Sequence, residues 1–136
     1  MCLVVLLDLR PNNWYINKAK LARVREAWRQ GEQDLLPPVL VTRIDGDLSL
    51  IDGHSRTLVA YQQGRTQIKA EMRDLDTIEG SKALYVHIHR EGPRREIKTI
   101  ADLEDRVLDP QRHRQTWVGY CARWIEENEA DTRPPE

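Results

Sequence analysis

LSLIDGHSRTLVAY, residues 48–61, is the stretch that decides the fold. A short apolar strand leads into a polar turn at Gly53, and a helix follows that Gly64 closes. A strand that enters a helix through a glycine turn leaves the first helix N–H groups free to bind an anion, most often a phosphate. Arg56 lies in the first helical turn, where a cation costs about 0.3–1 kcal/mol against the helix dipole. A negative group, either Asp52 or a bound ligand, is therefore expected beside Arg56.

Outside this stretch, apolar periodicity and turn residues predict an α/β or α+β domain, a mixed sheet packed with helices. Asp45-Gly46 predicts a tight hairpin turn between two strands. Residues 78–90 fit both a strand and a helical face. The predicted strands are residues 3–9, 39–44, 48–51 and 67–73, the first of them buried, and the predicted helices are residues 18–30, 54–63, 100–106 and an apolar stripe over 117–125.

Composition sets the class of protein. A length of 136 residues fits one domain with a real core, and 21 basic against 22 acidic residues create no global field toward nucleic acid or membrane. Cys2 and Cys121 show no metal or redox spacing. The apolar run over residues 3–7 is too short to span a bilayer and lacks the features of a secretory signal. A cytoplasmic protein with reduced thiols is expected.

Several blocks resemble the N-terminal domain of the ParB and sulfiredoxin superfamily. They stand in the expected order: Leu9-Arg10-Pro11-Asn12, then Leu36-Pro37-Pro38-Val39-Leu40-Val41, then Asp52-Gly53-His54-Ser55-Arg56. The remainder resembles the tail of small stand-alone proteins labelled partition-protein-like, whose middle segment is helical. The resemblance implies a small mixed sheet packed with helices in one domain, residues 1–136. Residues 1–75 would be the ParB-like core, 76–129 a helical C-terminal extension that includes 78–90, and 130–136 a polar tail.

The resemblance is informative at each position of the turn. In partition proteins the turn reads Gly-Glu-Arg-Arg and binds the triphosphate of CTP; Gly53 and Arg56 match it, while His54 and Ser55 replace the middle pair. In sulfiredoxin the turn is Gly-Cys-His-Arg with a nucleophilic cysteine, so His54 excludes that chemistry. Free serine kinases use an Asp-Gly-His-x-Arg turn with a glutamate base in the loop after the first strand. The matching loop, residues 12–14, has no acid, which argues against serine kinase activity.

A candidate phosphate- or nucleotide-binding set follows from the turn and the resemblance. His54 is interpreted as a hydrogen-bond donor to phosphate and is a weak candidate for an acid or base. Ser55 is interpreted as a hydrogen-bonding residue at the helix start. The alternatives are an Asp52–Arg56 pair that merely holds the turn and a solvated upstream loop. The candidate set is Asp52, Gly53, His54, Ser55, Arg56, Arg10, Asn12 and Asn13.

Three further features have competing interpretations. Trp14 lies beside the candidate site and is the aromatic residue that could stack on a base. His87 and His89 have no third ligand in the sequence pattern, so no metal site is expected. The basic connector over residues 94–98 is interpreted as a solvated loop or as a contact for nucleic acid or a protein partner.

Three classes of function remain. The leading hypothesis is a nucleotide-binding domain that takes CTP, ATP or ADP with Mg²⁺, as a phosphotransferase or nucleotide hydrolase. The second is a DNA-associated partition or nuclease-like protein, less favoured because the charge is near neutral and residues 76–136 are too few for both a helix-turn-helix and a dimerisation domain. The third is a non-catalytic interaction module. No membrane partner is expected, and the sequence leaves catalysis, the nucleotide and the oligomeric state open.

Overall fold

A five-stranded mixed sheet carries the turn at Gly53. The computed structural model describes residues 1–129, and the polar tail expected over 130–136 lies outside them. The strands are β1 Cys2–Val5, β2 Arg10–Pro11, β3 Ile16–Asn17, β4 Val39–Ile44, β5 Asp47–Asp52, β6 Gln67–Met72 and β7 Val107–Leu108. Five of them form the sheet in the order β1-β6-β4-β5-β2, and β3 pairs in parallel with β7.

The helices are α1 Lys18–Arg29, α2 His54–Gln62, α3 Lys82–Glu91, α4 Pro110–His113 and α5 Gly119–Glu129, with a π-helical turn over Arg114–Val118. The ambiguous segment 78–90 is therefore mainly helical, and the Ser81 side chain caps α3 by accepting from the Leu84 N–H group. In residues 1–129 no helix is both long and apolar enough to cross a membrane.

The short helix expected over residues 100–106 begins where predicted but ends early. It is a 3₁₀ helix over Ile100–Leu103, opened by a capping box between Thr99 and Asp102. Just beyond it, Arg106 Nε donates to the Trp14 carbonyl at 2.7 Å, and β7 follows. This long-range pairing with the N-terminal loop requires an extended chain where the local pattern favoured a helix.

One face of the sheet forms the core together with α1 and α2. The central apolar residues of its strands and of the two helices are buried, and Val24 and Trp28 of α1 are half-buried against them. Burial of large apolar side chains contributes about 1.5–3 kcal/mol each, which fixes α2 against the sheet with its first residue directly after β5. The central members of this core are Leu21, Val39, Val41, Leu50, Leu58, Val59 and Ala70.

The first apolar run differs from the buried strand expected over residues 3–9. Only Cys2–Val5 is extended, and a 3₁₀ turn over Leu6–Asp8 redirects the chain. Leu6 and Leu9 are buried, whereas Leu3 is 60% exposed. The turn is needed because β1 lies at one edge of the sheet and β2, two residues beyond the turn, lies at the other.

The β4–β5 hairpin has the tight turn that Asp45-Gly46 predicts. Asp45 has a φ of 55° and Gly46 a φ of 84°, so both central residues are left-handed, as a type I′ turn requires. The tip also binds two arginines: Arg90 of α3 donates to both carboxylate oxygens of Asp45 at 2.8 and 2.9 Å, and Arg10 Nη2 contacts Asp47 at 3.1 Å. The hairpin therefore fastens α3 and β2 to the sheet.

A buried polar layer lies between α3 and the other face of the sheet. Ser49 of β5 is paired with Thr42 on one side and with Arg10 on the other. Arg10 Nη1 donates to the carbonyl of His89 on α3 at 3.3 Å. The His89 side chain is fully buried, and neither ring nitrogen has a hydrogen-bond partner in the described part of the chain.

Candidate functional site

Gly53 shapes the start of α2. Its φ of 105° is left-handed, and a Cβ atom added there would lie 2.5 Å from Cγ1 of Val39, so only glycine fits. The first helical bond runs from the Thr57 N–H group to the Gly53 carbonyl at 2.9 Å. The N–H groups of residues 54–56 therefore precede any intrahelical acceptor, and no side chain caps them. This helix end has the donors and the dipole direction that favour an anion.

A cleft of about 250 Å³ opens at this helix end. The start of α1, the loop over residues 13–17, the segment Leu36–Pro37 and His113 of α4 form its other walls. The start of α1 is capped, because Asn17 Oδ1 accepts from the Ala19 N–H group at 2.9 Å. The polar side chains of the cleft belong to Asn13, Tyr15, Asn17, Lys20, Asp52, His54, Ser55, Arg56 and His113.

Arg56 already has protein partners. Its Nη1 donates to the Pro37 carbonyl at 2.9 Å, and its Nη2 contacts Asp52 at 3.3 Å. The Arg56 side chain is 14% exposed, whereas that of Asp52 is 76% exposed. The negative group expected beside Arg56 is therefore Asp52, so the position of Arg56 needs no ligand. Arg56 also ties α2 to the wall of the cleft at Pro37.

Lys20 supplies the other cation of the cleft. It is exposed and makes no hydrogen bond or ion pair within residues 1–129. Its charge helps to lower the pKa of His54 and of His113, although burial is the larger cause for both rings. Lys20 and Arg56 therefore face one acid, Asp52, across the cleft.

His54 holds the cleft together. The ring is 5% exposed, and burial lowers its pKa to about 4, so the imidazole is neutral at pH 7. Its Nε2 accepts from the backbone N–H group of Asn12 at 3.0 Å. This bond joins the start of α2 to the loop that follows β2, and it leaves Nε2 unavailable as a donor to a ligand.

The upstream members of the candidate set are only partly brought together. Asn12 is 2% exposed and lies beneath the cleft, where its Nδ2 donates to Ser49 Oγ and to the Tyr85 carbonyl, both at 2.9 Å. Arg10 contacts Asp47 at the hairpin tip and donates to the His89 carbonyl on α3. Of the three upstream candidates, Asn13 is the one that lines the cleft.

The interpretation of Trp14 as a base-stacking residue is wrong. Its side chain is 1% exposed, because the rings of Trp117 and Tyr120 lie 5.3 and 5.2 Å from it and Arg95 covers it at 4.3 Å. Arg95 thus belongs to an aromatic cluster, so the basic connector over residues 94–98 is only partly solvated. The Trp14 ring therefore belongs to the apolar packing between this loop and the C-terminal helices.

The two histidines of α3 lie in different surroundings. His87 joins the aromatic cluster, 4.7 Å from the Trp124 ring and 2.7 Å from the Tyr120 hydroxyl, whereas His89 is buried against the sheet. Across residues 1–129, no group of three or more His, Cys, Asp or Glu side chains is placed to hold a metal ion.

Sequence reasoning missed Lys20, Asn17 and His113. Lys20 had a usable signal: α1 carries cations and no acid in its first turn, the same conflict with the helix dipole that drew attention to Arg56. No local pattern could place His113 here, because it lies 59 positions beyond His54 and reaches the cleft only through the tertiary fold.

Comparison with known proteins shows a similarity of fold alone. No family model matches the sequence, and no curated protein matches it either. Protein Atu1540 from Agrobacterium tumefaciens has a similar solved structure, with a TM-score of 0.50 at 17% identity over 76% of this chain and 60% of that one. This likeness shows the fold alone, a five-stranded mixed sheet packed with helices. The α+β fold class predicted from the sequence is thereby confirmed.

Two further solved structures are similar at lower scores. Sulfiredoxin from Arabidopsis thaliana gives a TM-score of 0.45 at 20% identity, over 65% of this chain and 97% of that one. The C-terminally truncated chromosome-partitioning protein ParB from Caulobacter crescentus, complexed to the centromeric parS site, gives 0.41 at 16% identity, over 65% and 44%. At these scores and identities, neither likeness carries a ligand or a reaction over to this chain.

Proposed function

We propose that this protein binds a nucleotide through its phosphates at the start of α2. The observation that carries the proposal is the uncapped helix end at Gly53, whose N–H groups open into a cleft. Unlike α1, which Asn17 caps, α2 has no side chain at its N-terminus to satisfy these donors. A phosphate oxygen would accept hydrogen bonds from these N–H groups.

The charges of the cleft suit a nucleotide that carries a divalent cation. Lys20 has no partner in residues 1–129 and would pair with a phosphate, as a flexible point charge does. Asp52 would repel a bare phosphate, but its exposed carboxylate is an oxygen ligand of the kind that Mg²⁺ accepts together with phosphate oxygens. CTP, ATP or ADP with Mg²⁺ is therefore the proposed class of ligand.

Catalysis, as a phosphotransferase or nucleotide hydrolase, is the finer part of the proposal. Asp52 is the one carboxylate among the residues that line the cleft, and catalysis would depend on it as the ligand that places Mg²⁺ against the phosphates. Release of inorganic phosphate from Mg²⁺–nucleotide should then fall in Asp52→Asn. The matched control is Asp76→Asn, which changes an exposed acid outside the cleft.

Ser55 gives the sharpest test of the anion site. In Ser55→Asp, a carboxylate in the first turn of α2 favours the helix dipole by about 0.3–1 kcal/mol but occupies the place proposed for phosphate. The variant should keep or raise its melting temperature in the absence of ligand and lose the stabilisation by Mg²⁺–nucleotide. At a ligand concentration of 100 times Kd, that stabilisation is about 2.7 kcal/mol for the unmodified chain.

Matched variants separate charge from structure. Ser55→Asn has the same size as Ser55→Asp without its charge and should retain binding. Lys20→Ala should weaken binding, whereas Lys18→Ala, on the same helix but outside the cleft, should not. Absence of a thermal shift with CTP, ATP, ADP and GTP, with and without Mg²⁺, would refute the proposal.

The charge of α1 supports DNA as a second candidate ligand. Its twelve residues contain two lysines and three arginines against one glutamate, although the whole chain carries a net charge of −1. Lys18, Arg25 and Arg29 line one groove beside α2. If they contact phosphates of duplex DNA, log Kd should rise with log salt with a slope of about 0.9 per neutralised phosphate. Absence of binding at low salt would exclude this candidate.

A further inference from the structure

The free edge of β1 is the most unusual surface of the described chain. β1 pairs with β6 on one side only, so the other row of its backbone N–H and C=O groups has no strand beside it. Of the seven large apolar side chains exposed in residues 1–129, four belong to residues 1–7. These four are Met1 at 90%, Leu3 at 60%, Val5 at 44% and Leu7 at 48%.

Edge strands in monomeric proteins are usually protected against pairing. Charged side chains, prolines, bulges or a covering helix are the common devices. Residues 1–7 contain neither a charged residue nor a proline, and the β1–β6 register runs without a bulge from Cys2 to Val5. β1 therefore has the chemistry of a strand that is paired on both sides.

The other edge of the same sheet is closed to pairing. β2 has only two residues, and the second is Pro11, which has no N–H group to donate. Arg10, the first, is fixed to Asp47 at the tip of the hairpin. A second copy therefore cannot add β1 to β2 and extend the sheet without limit, and the one self-complementary arrangement available is β1 against β1 about a two-fold axis.

We propose that β1 pairs antiparallel with β1 of a second copy, so that two five-stranded sheets become one continuous sheet. Cys2 and Val4 have buried or half-buried partners on β6, Ala70 and Ile68, and so face the core side. Leu3 and Val5 alternate with them and face the open side. A two-fold axis perpendicular to the sheet at Val4 places Leu3 of one copy opposite Val5 of the other on the same face, while no like charges of β1 meet.

The register with β6 supplies a polar rim for this contact. Leu3 is paired with Lys69, and Val5 with Gln67, and both β6 side chains are exposed. An apolar centre with a polar border is the usual composition of a specific interface. The pairing uses none of the residues that line the nucleotide cleft.

Sedimentation equilibrium of the full chain between about 5 and 500 μM tests the pairing. The unmodified chain should show a monomer–dimer equilibrium, and Leu3→Lys should raise the dimer Kd by roughly tenfold, because two-fold symmetry places each new charge in the interface twice. Val118→Lys is the matched control, since Val118 is a similarly exposed apolar residue, at 50%, on the C-terminal helical segment. Its Kd should be unchanged.

Amide hydrogen exchange separates strand pairing from loose apolar contact. Outward amides of residues 2–5 should exchange more slowly at high than at low protein concentration, and this difference should vanish in Leu3→Lys. Thermal melts of both variants verify that they are folded. A chain that stays monomeric throughout the range, assembles without limit, or dimerises with no added protection of β1 would overturn the proposal.

Discussion

His89 should make the protein sensitive to mild acid. Burial lowers the pKa of this ring to about 4, against an ordinary value of 6.5. Above pH 6.5 the ring is neutral in both the folded and the unfolded chain, so stability is complete there. Between pH 6.5 and about 4 the unfolded chain binds a proton that the folded protein excludes, and the free energy of unfolding falls. Below about pH 4 both states are protonated and the loss stops.

The size of the loss follows from the same linkage. One fully shifted group changes the free energy of unfolding by about 1.4 kcal/mol per pH unit. Between pH 7 and pH 5 His89 should therefore contribute a loss of roughly 1–2 kcal/mol. His54, whose pKa is also lowered to about 4 by burial, adds a loss of the same sign.

The variant His89→Phe isolates the contribution of this ring. Neither ring nitrogen has a hydrogen-bond partner within residues 1–129, so a phenyl ring removes two buried polar atoms without breaking a described bond. At pH 7 the variant should be at least as stable as the parent. At pH 5 it should be more stable by roughly 1–2 kcal/mol, because the titration of His89 is removed while that of the other three histidines remains.

Urea unfolding followed by tryptophan fluorescence at pH 7 and pH 5 measures both quantities. His89→Gln provides the control, because it keeps a buried polar group but cannot titrate. It should lose the part of the pH sensitivity that His89 contributes, without the gain in stability at pH 7. An acid-induced loss in His89→Phe as large as that of the parent would refute the reasoning.

Two further substitutions test the turn and the loop beneath it. Gly53→Ala should cost at least about 2 kcal/mol, because it adds a close contact with Val39 to a strained backbone, whereas Gly46→Ala, with nothing within 4 Å, should cost only about 1 kcal/mol for the strain; equal losses in chemical denaturation would contradict this account. Asn12→Ala should cost about 1–3 kcal/mol through the lost bonds to Ser49 and the α3 carbonyl, and an unchanged denaturation midpoint would show that those bonds contribute nothing.

The sequence predicted those parts of the fold that are determined locally. The Asp45-Gly46 turn requires two left-handed residues, and few residue pairs supply them. The strand over residues 39–44 has the predicted bounds. The run is rich in β-branched residues, and a clear turn follows it. The start of α2 was predicted for a related reason, since only glycine at position 53 allows the chain to turn so close to Val39.

The errors arose where distant parts of the chain decide. Residues 3–9 are apolar apart from Asp8, and the pattern could not show that the chain leaves one edge of the sheet within them to reach the other edge at residue 10. Trp14 follows Asn13, which lines the cleft, but its own ring is covered by Trp117 and Tyr120, about a hundred positions later in the chain. In the candidate site, the start of α2 was predicted from its own residues, whereas the place of His113 in the cleft was not predicted.

The parallel pairing of β3 with β7 has a consequence for the order in which the protein acquires its cleft. Ile16 pairs with Val107, and the Trp14 carbonyl accepts from Arg106 at 2.7 Å, across 92 positions of the chain. The loop over residues 13–17, one wall of the cleft, is held at its start by Asn12 but takes the support of its far end from the last third of the chain. During synthesis the turn at Gly53 emerges early, but a complete cleft forms late. A fragment that ends at residue 75 would contain the whole motif and lack the means to hold its cleft in shape.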